Sequence, residues 1–189
     1  MIRFARWLPL LLAVLLIPAC GGPKQAAEKA ISEAELAFGR IAEQARNVAP
    51  DQARAIEAGI TGAKASLAGG DAKAALATAN EQGEKIKTLS EQLPSLQAKL
   101  QDEWNTLNTT VPGALAALRK KLDDFGRPPA NMPGRAQFDS TSAQLSPLNQ
   151  KWDEARSLFV SGKLAEAVAM AQEVQEDVVK LVAGMQTGS

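Results

Sequence analysis

The sequence predicts an all-α fold, an antiparallel helical bundle of about six helices. Three observations lead there. Core-sized residues recur in alternating steps of three and four along nearly the whole chain after residue 25, the spacing of a helix packed along its length. The apolar fraction of 46% is carried mainly by Ala and Leu, with aromatics at only 4%, and these strong helix formers suit close contacts between helices. Gly, Pro and Asp punctuate the periodic runs.

The first stripe is Ala27, Ile31, Ala34, Phe38, Ile41, Ala45 and Val48, and it ends at "APDQ", where Pro50 and Asp51 interrupt. A second follows with Ala53, Ile56, Ile60, Ala63 and Leu67, stopped by Gly69 and Gly70, with Asp71 placed to cap the next helix. The third carries Ala72, Leu76, Ala79, Ile86, Leu89, Leu93, Leu96, Leu100 and Leu107, with Pro94 marking a kink or short break inside a continuing stripe. After "NTTVPG", Pro112 suits the first turn of a fourth helix along Leu115, Leu118, Leu122 and Phe125, stopped by Gly126 and Pro128. A Pro-rich loop over 126–138 then precedes a fifth helix with Leu145, Leu148, Trp152, Ala155 and Phe159. "SGK" makes a tight hairpin connection to a sixth, with Leu164, Ala167, Ala171, Val174, Val178 and Leu181.

An internal match suggests two related helical-hairpin halves. A shift of 92 residues lays Ala63 to Leu89 on Ala155 to Leu181 and pairs Gly70 with Gly162, Ala75 with Ala167, Glu81 with Glu173 and Glu84 with Glu176. The turns "GDAKAAL" and "GKLAEAV" resemble the inter-helix turn of a tetratricopeptide repeat. The 34-residue period of that family is absent, and Ala72 and Leu164 stand at its aromatic positions. The match is therefore read as similar hairpins, from duplication or from convergence on one packing solution.

At the N-terminus, Arg3 and Arg6 precede an apolar run from Trp7 to Ile17 that is too short to cross a bilayer as a helix, which needs about 20 residues. "IPAC" then ends in the chain's one cysteine, and with Gly21 behind it this stretch resembles the lipobox of bacterial lipoproteins. That resemblance implies a signal peptide over 1–19, cleavage before Cys20, and acylation of its thiol and new amine. Cys20 is thus the expected lipidation site, with membrane lipid as its partner. Gly21 in place of the Asp that retains such proteins at the inner membrane implies the outer membrane, facing the periplasm, if the source is Gram-negative. Residues 20–24 form a short tether and 25–185 the Ala-rich helical domain. The four residues of "GGPK" extend at most about 14 Å, so a partner is expected close to the bilayer, with the Pro-rich loop as the contact element.

Function classes narrow by exclusion. Charge balances at 21 basic and 21 acidic residues, and removing 1–19 also removes two basic ones, so no field is left for nucleic acid. The chain has no His and no Tyr, which rules out a Ser-His-Asp machine. "AGGDA" lacks the spacing of a phosphate loop. Glu33 with Glu35, and Asp123 with Asp124, read as solvated helix faces. Trp104 and Trp152 sit on packing stripes, so core is the expectation over a ligand cleft. The expected function is a non-enzymatic, cofactor-free, membrane-anchored cell-envelope module for interaction or structure, with an envelope protein as partner. The alternative is a carrier for an apolar small molecule or lipid, which requires a large apolar cavity between the helices.

Overall fold

Prolines open the first two helices. Each sits at the first helical position, where its missing N–H has no intrahelical partner to lose. α1 runs Pro23–Val48 and α2 Pro50–Ala68. Ala49 alone joins them, donating its N–H to the Ala45 carbonyl at 2.7 Å and accepting from Ala53 at 3.0 Å. The other helices are α3, Ala72–Phe125, α4, Arg135–Val160, and α5, Leu164–Thr187. This computed structural model describes residues 22–132 and 134–187, and these contain helices and loops but no strand. Residues 1–21, including the signal peptide and Cys20, lie outside the described residues.

Five helices stand where about six are expected, because the third and fourth stripes are one helix. α3 has 54 residues with Pro94 and Pro112 inside it, a length of about 81 Å. The reason is burial. Leu107, Val111, Leu115, Leu118 and Leu122 are all buried in unbroken phase, so ending the helix at Pro112 would turn one half of that stripe away from the core. Pro112 and Asn108, whose carbonyl loses its helical donor, are both exposed, leaving water free to supply the bond. The Pro-rich loop is likewise shorter than expected: α4 begins at Arg135, inside the 126–138 span. Arg135 accounts for this. Its Nε donates to Asp139 Oδ2 and its Nη1 to the Pro128 carbonyl, both at 2.6 Å, tying the loop to the first helical turn.

Cross-helix bonds give the topology. Arg46 pairs with Glu57 and Lys64 with Glu35, so α1 and α2 are antiparallel. Gln44 bonds Gln97, while the bare Cα of Gly59 faces Gln82, placing α1 parallel and α2 antiparallel to the first half of α3. Along its second half, Glu103 bonds Gln172 and Thr110 bonds Gln175 in parallel sense, and the tight turn after Val160 sets α5 antiparallel to α4, with Lys151 reaching Glu173 and Asp177 across the pair. The molecule is two up-down-up three-helix units set end to end on one shared spine. The first unit is cored by Phe38, Ile56, Ile60, Ile86, Leu89 and Leu93, with an alanine-lined extension at Ala27, Ala63 and Ala75. The second is cored by Trp104, Leu118, Trp152, Val168 and Val174. Half-buried Leu100 borders both cores.

The two matched segments form the same turn. Asp71 donates to Ser66 O at 2.9 Å and Gly70 to Leu67 O at 3.1 Å, and 92 residues on, Lys163 donates to Leu158 O and Gly162 to Phe159 O, each at 3.0 Å. Both glycines are left-handed, at φ 88° and 84°, a conformation that a Cβ disfavours. Asp71 also caps α3, accepting from Ala74 N at 2.9 Å. Ala63, Ala75 and Ala79 are buried like their counterparts Ala155, Ala167 and Ala171; these small contacts let the hairpin helices approach closely.

Candidate functional site

Where the two units meet, three segments wall a cleft of about 450 Å³. The last two and a half turns of α1 supply Arg40, Glu43, Gln44, Asn47 and Val48, which share a face through their three- and four-residue spacing. Gln97 and Gln101, one turn apart, come from the middle of α3. Phe159, Gly162 and Leu164 come from the α4–α5 turn. Val48 and Leu164 are buried and Phe159 half-buried, giving an apolar floor beneath a polar rim.

The hydrogen bonds inside this cleft are few. Gln44 Nε2 donates to Gln97 Oε1 at 2.8 Å, bridging α1 to the spine, and Gln101 Nε2 donates to Asn105 Oδ1 at 3.3 Å. Phe159 is held from below, its ring stacked on Trp104 with centroids 4.5 Å apart and planes 7° from parallel. Trp104 in turn stacks on Trp152 at 5.6 Å. Both indoles are buried, at 4% and 6% exposure, so they are core, and they bear on the cleft only by fixing Phe159.

The carboxylates singled out in the sequence lie elsewhere. Glu33 pairs with Lys29, Glu35 with Lys64, and Asp124 with Lys120, as solvated faces do. Lys120 is pushed above its ordinary value by the hydrogen bond to Asp124. Among the described residues, no group of three or more His, Cys, Asp or Glu side chains is placed to hold a metal ion. No described helix is long and apolar enough to cross a membrane. Cys20 falls outside the described residues; α1 starts at Pro23, so two residues, Gly21 and Gly22, separate Cys20 from the helix.

Sequence reasoning did not single out the cleft. Its residues come from three stretches far apart in the chain, 40–48, 97–101 and 159–164, and each polar one reads in isolation as a solvated helix position. The sequence matches no family model, and comparisons with curated proteins and with solved structures find no match.

Proposed function

We propose that this chain is a membrane-anchored cell-envelope lipoprotein whose helical part works as a rigid interaction or structural module. The anchor is supported by the sequence alone: a basic start, a short apolar run and Cys20 in "IPACG". One acyl chain binds a bilayer marginally and two or more hold stably, at about 0.8 kcal/mol per buried methylene.

The module reading rests on α3. A spine of 54 residues, about 81 Å long, carries the loop 126–134 to the end of the molecule opposite the start of α1. The reach that the short tether lacks is supplied by the rod itself. A rod standing off the bilayer brings within reach partners up to about one rod length away, besides those beside the bilayer. At that far end Phe125 and Met132 are 46% and 57% exposed, an apolar tip suited to a protein contact.

The carrier alternative finds less support. The larger pockets, about 410 to 580 Å³, are open clefts at the surface, and the most enclosed one, lined by Phe125, Gly134, Gln137, Phe138 and Met185, holds about 10 Å³, too little for a lipid chain.

Metabolic labelling with a fatty acid tests the anchor. The wild type should take up label and pellet with membranes, and Cys20→Ser should take up no label and be unprocessed or released from the pellet; an exported wild type without label overturns the anchor. A photocrosslinking side chain at Met132 tests the module. It should give a discrete adduct that the same group at exposed Lys73, near the start of α3, does not.

A further inference from the structure

We infer that the cleft at the middle of α3 binds a neutral saccharide. The inference goes beyond the module reading and does not depend on the lipid anchor. The site lies between two separately cored units, a common position for ligand sites, and its volume of about 450 Å³ lies inside their usual range.

The unspent hydrogen-bonding groups define the ligand. Gln44 spends one of its two N–H donors on Gln97 and keeps the other along with Oε1 as an acceptor, and Gln97 keeps both donors of its Nε2. Gln101 likewise keeps one N–H and Oε1 after donating to Asn105. The side chains of Asn47, Arg40 and Glu43 make no hydrogen bond or ion pair among the described residues. Donors and acceptors are thus mixed along every polar wall. A hydroxyl both donates and accepts, so a row of hydroxyls can satisfy such walls where a ligand of donors or acceptors alone cannot.

Charge and floor narrow the choice further. Arg40 and Glu43 cancel, so neither an anion nor a cation meets a net opposite charge. An apolar ligand would cover the amides without replacing their water, a loss of about 1–3 kcal/mol for each polar group left buried and unpaired. The floor of Val48, Leu164 and the Phe159 ring suits the C–H face of a pyranose, and Trp104 fixes that ring in place.

Trp104 also supplies the readout, because a sugar seated on Phe159 changes the surroundings of the indole stacked beneath it. Full-length protein in a polyoxyethylene detergent, which carries no sugar headgroup, is titrated with chitotetraose, cellotetraose and maltotetraose while tryptophan emission is followed. At least one should give a saturable change by millimolar concentration. Asn47→Ala and Gln97→Ala should each weaken it about fivefold, as for one neutral hydrogen bond, with thermal unfolding little changed. Cys20→Ser should bind like the wild type whether or not the anchor is real. No saturation with any of the three sugars overturns the proposal, as does saturation that both cleft variants leave unchanged. Saturation by penta-alanine but by no sugar overturns it too, and marks the cleft as a peptide site.

Discussion

Gln82 turns its amide inward against the bare Cα of Gly59, and its Oε1 is buried without a hydrogen-bond partner. Such an atom costs about 1–3 kcal/mol relative to a satisfied one. Gln82→Met keeps the length and removes the polar atoms, so it should stabilise the protein by about 1 kcal/mol, read as a higher urea midpoint at unchanged slope. A lower midpoint would mean that a buried water serves Oε1. Gly59→Ala places its Cβ inside the same amide, so the Gln82 side chain must swing aside, and the gain of up to about 1 kcal/mol in helix propensity should be larger in a Gln82→Ala background; strict additivity would dissolve the contact. At the loop, Asp139 is held below the ordinary carboxyl value of 3.8, first by the hydrogen bond from Arg135 and further by the charges of Arg135 and Arg127. A lowered folded value means that the clamp is at full strength above the ordinary value and is lost as pH falls through the lowered one. The Met132 methyl NMR signal should therefore sharpen only below pH 3.8, and Asp139→Asn should sharpen it at neutral pH.

At the scale of elements, proline context makes opposite forecasts for one substitution. If Pro112 opened a new helix it would be an asset; inside α3 it removes a hydrogen bond and crowds the preceding turn, at up to about 3 kcal/mol relative to Ala. Pro112→Ala should accordingly raise stability by about 1–3 kcal/mol, seen in thermal unfolding, and a fall would restore the helix start that the local sequence suggests. The buried stripes from Ala27 to Val48 and from Ala53 to Ala63 were legible because a one-sided core imposes its period on the chain. The Pro112 junction was not. Thr109, Thr110, Pro112 and Gly113 give the same local signal at a helix start and within a helix. What decides is Val111, fully buried between Leu107 and Leu115, a tertiary fact. Asp71 and Gly70 were readable as cap and stop because their roles are local, whereas the α4 start depended on Arg135 reaching back to Pro128. The cleft was invisible for the related reason that only folding brings Asn47, Gln97 and Gly162 together.

For the whole molecule, shape is the first thing to measure. A compact chain of this size has a radius of gyration of about 15 Å, while a rod about 81 Å long gives about 24 Å; small-angle scattering of detergent-free protein lacking residues 1–19 should return the larger value. The smaller one would mean that the two units fold back on each other. Their mutual orientation is set by counting. Each residue of the spine advances about 1.5 Å and turns about 100°, and one unbroken helix passes from the first core to the second. A single alanine inserted after Ala98 should swing α4 and α5 about 100° around the axis, pulling the Gly162 wall away from Asn47 and turning half-buried Leu100 off the first core while leaving the fully buried residues of both cores in place. Four inserted residues would come back to within about 40° of the original bearing. α3 thus acts as an angular dial: one-residue insertions or deletions at its midpoint reset which surfaces of the two units look the same way.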